Sequence, residues 1–291
     1  MILTTINLRG LGRSLKFSAL RRLFTTLHPD LVLVQETMVE AHKACHFFLR
    51  PFPGWEVCAL DATGHSGGLL CIWNPNVCEL APLSLLSGIL LVGHLKGLTK
   101  VANILNIYGP YRDQVGFWDQ LAAFGLLQDG HLILGGDLNL TMSTEEYWGH
   151  THRDPLADYF TDIFRDASLV DVHLVPLSPT WSNGRKRDQA IAKRLDRFLI
   201  SESLATLVDR YRVWHSNIKV SDHHPICLQL DLEPKACNKP FRFNHHWLES
   251  PSFQAMVHDF WTGDQVCDGW SVMDRISYKL RKLKLLTKEW A

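Results

Sequence analysis

Gln35-Glu36-Thr37, Asn106-Ile107-Tyr108, Gly136-Asp137-Leu138-Asn139 and Ser221-Asp222-His223 are the four stretches that decide which fold this chain is predicted to have. Each of them borders a run of residues that is typical of a β-strand. In proteins that combine helices and sheets, the ends of the strands are where side chains converge on one cleft. We therefore expect the carboxylate, amide, phenol and imidazole groups of these stretches to lie close together.

Each stretch taken alone has an ordinary explanation. Asp137 and Asn139 after a strand are common turn formers, and Ser221-Asp222 is typical of a helix cap or an Asx turn. Glu36 alone is typical of a surface carboxylate, and Tyr108 of a half-buried strand residue. The ordinary explanation requires all of these polar strand ends to coincide by chance. The set as a whole therefore favours a catalytic site.

Composition limits the class of protein. The chain has 291 residues, of which 46% are hydrophobic, so it can build a full core without disulfide bonds. Lys plus Arg and Asp plus Glu both number 30, so there is no basic excess of the kind that marks non-specific DNA binders.

The cysteines and the apolar runs indicate an intracellular protein without a membrane span. Seven scattered cysteines contain no Cys-x-x-Cys pair, which favours free thiols over a structural zinc site. The apolar run from Leu83 to Leu95 is too short and too interrupted to span a membrane, and we expect a pair of strands or a strand with a turn there. The segment from Met1 to Ile6 lacks the features of a signal peptide, so we do not expect a secreted protein.

Periodicity predicts an α+β sandwich with the sheets inside and the helices outside. A continuous apolar run predicts a buried strand at Leu31–Val34, and further strands are predicted at Ile2–Asn7 and, buried, at His131–Leu134. Apolar residues at helical spacing predict helices, the first over Lys16–Leu27 and two more around Phe117 and Phe160. Further strands are predicted at Trp55–Leu60, Leu69–Trp73, Val77–Leu80, Ile89–Leu95, Val101–Tyr108, Leu195–Ile200 and Ile226–Leu232.

A change in composition predicts a domain boundary after Leu232, at Glu233-Pro234. Residues 1–232 would form the catalytic domain. Residues 233–291 would form an aromatic and basic helical extension, whose last helix carries Ile276, Leu280 and neighbouring leucines on one stripe.

The polar strand ends suit metal-assisted hydrolysis of a phosphate ester. Mg²⁺ prefers oxygen ligands and keeps several waters, so one or two carboxylates together with substrate oxygens are sufficient to hold it, and Glu36 and Asp222 can supply those carboxylates. Asp137, beside Asn139, is the candidate that activates the attacking water. Charge that develops on the phosphorus oxygens needs hydrogen-bond donors. The candidate donors are Asn7, Tyr108, Asn139 and His223.

These blocks resemble, in order, those of the endonuclease/exonuclease/phosphatase superfamily, which includes deoxyribonuclease I and the abasic-site endonucleases. The resemblance covers roughly residues 1 to 232. It implies a four-layered α/β/β/α sandwich of the deoxyribonuclease I-like kind, a Mg²⁺ cofactor for which Mn²⁺ is expected to substitute, and a role for Asp196 in orienting His223. The residues that carry it are Asn7, Glu36, Tyr108, Asp137, Asn139, Asp196 (within Arg194-Leu195-Asp196-Arg197-Phe198), Asp222 and His223.

Finer features resemble the endonuclease domain of plant LINE-type (non-LTR) retrotransposon polyproteins. They include Asn7-Leu8-Arg9-Gly10-Leu11, Ser66-Gly67-Gly68, Thr180-Trp181 and the trailing Phe241-Arg242-Phe243. This resemblance implies a nuclear enzyme that nicks one strand of DNA and leaves 3′-hydroxyl and 5′-phosphate ends. It also implies a reverse transcriptase downstream, and because no Tyr-x-Asp-Asp or Phe-x-Asp-Asp motif occurs, we expect that domain to lie outside this chain.

One departure from the family pattern concerns Arg9, which stands where abasic-site enzymes carry an acid that assists the metal site. It argues against a specifically abasic-site activity and leaves Glu36 with less support as a metal ligand. Two alternative functions remain open from the sequence. One is a phosphoesterase acting on a small molecule, and the other is a catalytically silent retroelement fragment that keeps only the fold.

Overall fold

The computed structural model of the protein describes residues 1–11, 14–49, 51–63, 66–85, 88–128, 130–149, 152–232, 243–263 and 272–290. The helices are α1 (Ser14–Leu27), α2 (Ala41–Leu49), α3 (Gln114–Ala123), α4 (Ala157–Asp166), α5 (Glu202–Ala205), α6 (Pro251–Thr262) and α7 (Val272–Trp290). Strands β1 to β8 span Ile2–Asn7, Leu31–Gln35, Glu56–Thr63, Ser66–Trp73, Cys78–Leu85, Gly88–Leu95, Val101–Tyr108 and His131–Asp137. Strands β9 to β15 span Tyr147–Trp148, Leu169–Asp171, Trp181–Ser182, Ala192–Lys193, Asp196–Ser201, Arg210–His215 and Ile226–Asp231.

The strands form two large mixed sheets and one small one. The first sheet has the order β14-β15-β1-β2-β4-β3, and the second has the order β10-β13-β8-β7-β6-β5. The short strands β11, β12 and β9 form the third sheet. The run from Leu83 to Leu95 was expected to be a pair of strands or a strand with a turn. Its described residues, 83–85 and 88–95, lie in the antiparallel pair of β5 and β6.

Side chains on the central strands alternate between the two faces of each sheet, and this produces four layers. On β2, Leu31 and Leu33 belong to the core between the two large sheets, where they join Ile104 of β7. Their neighbours Val32 and Val34 belong to a second core, formed with residues of α1 and α2. A third core packs the outer face of the second sheet against α3 and α4, with the aromatic side chains Trp118, Phe160 and Phe164. The predicted α/β/β/α sandwich is confirmed.

The register of the strands gathers the polar strand ends at one edge of the sandwich. In the first sheet β1 and β2 are parallel and place Asn7 opposite Gln35, while in the second sheet β7 and β8 are parallel and place Tyr108 opposite Asp137. Strand β13 runs antiparallel to β8 and begins with Asp196 opposite Asp137. Strand β15 runs antiparallel to β1, so the turn that precedes it reaches the same edge.

The chain divides into two compact units, Met1–Lys235 and Ala236–Ala291. The predicted boundary at Glu233-Pro234, like Phe241-Arg242, lies outside the described residues. In the second unit, α6 and α7 are joined by ring contacts among Phe243, Trp247, Phe253 and Trp290. Among the described residues, none of the helices combines the length and the apolar composition that a membrane span requires.

Candidate active site

Asn7 joins the two sheets at the centre of the site. Its buried Nδ2 donates to Glu36 Oε1 and to Asp137 Oδ2, both across 2.8 Å. An amide nitrogen carries only two hydrogens, so both are engaged by carboxylates of the protein. In this structure Asn7 therefore holds the Glu36 and Asp137 carboxylates, which differs from the expected role of a donor to substrate.

Glu36 and Tyr108 lie next to each other on the two sheets. Glu36 is buried, and its backbone adopts a left-handed conformation with φ of 49°. Such a conformation is costly for a residue other than glycine and is concentrated at functional sites. Tyr108 is half-buried at the end of β7. Burial and the hydrogen bond to the Glu36 carboxylate raise the pKa of the Tyr108 hydroxyl, which keeps it protonated and able to donate.

Asp137 is completely buried at the end of β8. Gly136 must precede it, because a Cβ at that position would lie 1.9 Å from the carbonyl oxygen of Ile107. The backbone N–H of Asn139 donates to Asp137 Oδ1 across 3.1 Å. Burial and the nearby Asp196 carboxylate raise the pKa of Asp137, which makes its carboxylate a stronger base.

Asn139 lies beside Asp137 with a left-handed φ of 52°. Its Nδ2 donates to the carbonyl of Gly109 across 2.6 Å. Its Oδ1 is buried and finds no hydrogen-bond donor among the described residues. A buried amide oxygen without a partner is costly, and this one is available to a bound water or substrate group.

His223 forms a buried pair with Asp196, as expected. Its Nδ1 lies 2.9 Å from Asp196 Oδ2, and its Nε2 lies 3.7 Å from Asp137 Oδ2. Burial alone would lower the pKa of His223, but the Asp196 and Asp137 carboxylates outweigh that effect and raise the pKa to about 9. The ring is therefore positively charged at neutral pH and faces Asp137 with its second nitrogen.

Asp222 is held by two side chains through one oxygen. Arg9 Nη1 lies 2.5 Å from Asp222 Oδ2, and Trp181 Nε1 donates to the same oxygen across 3.0 Å. The Nε of Arg9 lies 3.8 Å from Glu36 Oε2. The guanidinium of Arg9 therefore connects Glu36 and Asp222, the two carboxylates predicted to bind metal.

The donor set of the site fits a divalent cation. Hydrogen bonds and ion pairs link the carboxylates of Glu36, Asp137, Asp196 and Asp222 to the cationic side chains of Arg9 and His223. Four carboxyl groups against two cations leave an excess of negative charge. Such an excess, presented by oxygen ligands, suits Mg²⁺ or a similar hard ion.

A separate cluster of three possible ligands contains Asp137, Asp196 and His223. We interpret it as the hydrogen-bonded group already described, because the Nδ1 atom of His223 is hydrogen-bonded to the Asp196 carboxylate. Glu36 and Asp222 therefore remain the predicted metal ligands.

Two buried polar networks hold the strands that carry the site. Gln35 Nε2 donates to Asn106 Oδ1 across 2.7 Å and so connects the two large sheets behind Asn7. On either side of Asp196, Arg194 and Arg197 form buried ion pairs with Glu146 and Asp171. Thr180 Oγ1 accepts from the backbone N–H groups of Leu195 and Asp196, across 2.9 and 3.0 Å.

The structure adds two residues to the predicted site. Trp181 contacts Asp222, although the sequence indicated only its resemblance to retroelement proteins. Tyr111 lies near the carboxylates: burial together with Asp137 and Glu36 raises the pKa of its hydroxyl, although its side chain is 65% exposed. Its position two residues beyond Gly109 gives no signal of that proximity in the sequence.

Comparison with known proteins identifies a family and relatives for this chain. Residues 4–223 match the family described as Endonuclease/Exonuclease/phosphatase family. A curated relative, the Transposon TX1 uncharacterized 149 kDa protein of Xenopus laevis, is 28% identical over 195 residues, which are 63% of this chain and 14% of that protein. The chain thus spans about one seventh of the length of that relative.

Solved structures share the fold. The endonuclease domain of TRAS1, a telomere-specific non-LTR retrotransposon, superposes with a TM-score of 0.58 at 18% identity, covering 79% of this chain and 97% of that one. The 3′-5′ exonuclease NExo of Neisseria meningitidis superposes with a TM-score of 0.60 at 18% identity, covering 79% of this chain and 100% of that one.

Proposed function

The chain belongs to the Endonuclease/Exonuclease/phosphatase family, and on that premise we propose that it is a divalent-metal-dependent DNA endonuclease of a LINE-type retroelement. The observation that carries the proposal is the position of Asp137. Asn7 fixes its carboxylate beside Glu36, and the charged ring of His223 faces it from 3.7 Å. The candidate base Asp137, the charged ring of His223 and the predicted metal ligand Glu36 are thus held together at one edge of the sandwich.

The proposed reaction is hydrolysis of a phosphodiester. The Asp137 carboxylate accepts a proton from water as the water oxygen bonds to phosphorus, and the bond from phosphorus to the 3′ oxygen breaks. The leaving 3′ oxygen takes a proton from solvent water. The protonated His223 donates to a phosphate oxygen, and Asp196 holds its ring in the donating orientation. The Tyr108 hydroxyl, which is hydrogen-bonded to Glu36 in this structure, supplies a second donor when it turns from that carboxylate to the phosphate. Glu36 and Asp222 would hold a divalent ion, which when bound would supply electrostatic stabilisation to the negatively charged phosphate. The products are a 3′-hydroxyl and a 5′-phosphate.

The choice of DNA as substrate is supported by the relatives. The curated relative is a transposon protein, and a superposed structure is the endonuclease domain of a retrotransposon. Another superposed structure, the 3′ phosphatase NExo from Neisseria, is bound to a product DNA hairpin. We propose single-strand nicking at a target site, a nuclear location and a downstream reverse transcriptase in the complete polyprotein. The plant origin of the element stays a prediction from the sequence.

A plasmid assay tests the proposal. The full chain should convert supercoiled plasmid to the nicked form with Mg²⁺ or Mn²⁺ and should lose this activity in EDTA. DNA ligase should reseal the nicks, because it joins only a 3′-hydroxyl to a 5′-phosphate. Nicking that persists in chelator would contradict the metal requirement. An absence of nicking together with hydrolysis of bis(p-nitrophenyl) phosphate would favour the small-molecule phosphoesterase, and inactivity on both substrates would favour a silent fragment.

A further inference from the structure

Arg9 is a cation placed at the same carboxylates that are proposed to hold the metal. Its Nη1 lies 2.5 Å from Asp222 Oδ2, and its Nε lies 3.8 Å from Glu36 Oε2. Both carboxylates lie far from Arg9 in the sequence, so the fold, rather than local helical geometry, brings the three side chains together.

The backbone around Arg9 is fixed from several sides. Arg9 adopts a left-handed φ of 48°, and its N–H donates to Asn7 Oδ1 across 3.0 Å. Lys16 Nζ donates to the carbonyls of Leu8, Arg9 and Gly10, at 2.5, 2.6 and 2.8 Å. The N–H of Gly10 donates to the carbonyl of Glu36 across 2.7 Å. A strained conformation that is held by this many contacts indicates a built feature of the site.

The guanidinium itself is only partly covered. The side chain of Arg9 is 46% exposed, whereas that of Glu36 is 4% exposed. Ion pairs that are half open to water are weak, because solvent screens the charges. A divalent ion can therefore displace the guanidinium, although the guanidinium reduces the net attraction that the ion experiences.

We infer that Arg9 is a tethered cation that competes with the divalent ion for Glu36 and Asp222 and so sets the ion concentration at which the site fills. This inference rests on the proposed function. Competition and support predict opposite effects of removing Arg9 on ion binding. If Arg9 merely held the carboxylates in place, its removal would weaken ion binding. If Arg9 competes, its removal strengthens ion binding.

The test measures ion binding without substrate. The full chain, freed of metal, is titrated with Mn²⁺ at neutral pH, and free Mn²⁺ is read from its electron paramagnetic resonance signal. Arg9→Gln should bind Mn²⁺ roughly three- to tenfold more tightly than the unaltered chain. Arg9→Lys keeps the charge and should bind less tightly than Arg9→Gln. Arg22→Gln removes an exposed positive charge from α1 and should leave the affinity unchanged.

A second measurement follows the unaltered protein and uses a variant only to assign one resonance. The Nε–H resonance of Arg9, assigned by its loss in Arg9→Lys, should shift during a Mg²⁺ titration with the same midpoint as ion binding. Equal or weaker Mn²⁺ binding by folded Arg9→Gln, or an Arg9 resonance that does not move while Mg²⁺ saturates, would overturn the inference. If the unaltered chain binds Mn²⁺ and nicks DNA in either case, the proposed function stands while this inference fails.

Discussion

The ring of His223 donates through Nδ1 to the carboxylate of Asp196 across 2.9 Å, and both side chains are buried. The two residues come from different strand ends, β13 and the turn before β15, and Asp196 also contributes most to the charged state of the ring. This pair behaves as one unit, because the position and the charge of the imidazole both depend on the carboxylate.

The His223–Asp196 pair predicts strongly non-additive losses of nicking activity. His223→Ala and Asp196→Asn should each reduce nicking by roughly 100-fold or more, since each removes the positioned donor. The double variant should be little worse than the more severe single variant. Single-turnover nicking rates at saturating Mg²⁺ give the coupling free energy between the two residues. Losses that multiply in the double variant would show that the two residues act separately.

Asp137→Asn should abolish the base while it preserves the shape of the site. The substitution keeps the size of the side chain, so Asn7 still has an oxygen to which it can donate. We expect nicking to fall by roughly 100-fold or more, while Kd for a DNA duplex in Ca²⁺ stays within a few-fold of the unaltered value. A variant that loses duplex binding and nicking together would assign Asp137 to binding instead of proton transfer.

The buried charges of Arg194, Arg197, Glu146 and Asp171 predict a large effect on stability. Asp171→Asn should lower the free energy of unfolding by about 3–5 kcal/mol, because two buried guanidinium groups lose their shared carboxylate. Urea denaturation followed by tryptophan fluorescence measures the change. Asp162→Asn is the matched control, since Asp162 pairs with Arg165 on the exposed face of α4. It should change the free energy of unfolding by less than about 1 kcal/mol.

The same cluster predicts how stability depends on pH. Burial alone would raise the pKa of Asp171, but Arg197 and Arg194 outweigh it and lower the pKa to about 2. The unfolded pKa is about 3.9, so Asp171 contributes about 2–3 kcal/mol above that pH and loses the contribution as the pH falls towards 2. The stability difference between the unaltered chain and Asp171→Asn should therefore shrink between pH 5 and pH 2. A constant difference would contradict the lowered pKa.

Strands that are buried on both faces could be predicted from the sequence because their apolar runs are continuous. Leu31 to Val34 is such a run, and the polar residues that follow it lie where expected. Helix α2 was not predicted, because only Ala44 and Phe48 of its nine residues are buried and they give little periodicity. Strand β14 was not predicted, because it lies at the edge of its sheet and buries only Val213.

The long-range pairings in the site could not be predicted from residue types. Asp222 was identified as a candidate metal ligand, yet its contacts to Arg9 and Trp181 join residues 213 and 41 positions away. Such contacts depend on how the loops pass over the sheet edge. Both hydrogens of the Asn7 amide are likewise engaged by Glu36 and Asp137 only because the two sheets meet there.

The second unit is expected to make a salt-dependent contribution to DNA affinity that is separate from the cleavage chemistry. The residues proposed for catalysis all lie in the unit Met1–Lys235, so a chain ending at Leu232 should still nick plasmid at low salt. Arg281 and Lys282 are exposed on α7 and are candidates for contacts with DNA phosphates. Loss of these contacts should reduce affinity and flatten its salt dependence, by a slope of roughly 0.9 for each phosphate contact. Plots of log Kd against log salt concentration for both chains measure the change.

The full chain with Arg281→Gln and Lys282→Gln separates charge from folding in this experiment. It keeps the second unit and should flatten the salt dependence by up to roughly twice 0.9, with nicking at low salt unchanged. If the shortened chain folds but fails to nick at every salt concentration, the second unit contributes to the active site and the proposed domain boundary is misplaced. If it nicks normally and its salt dependence equals that of the full chain, α7 does not contact DNA.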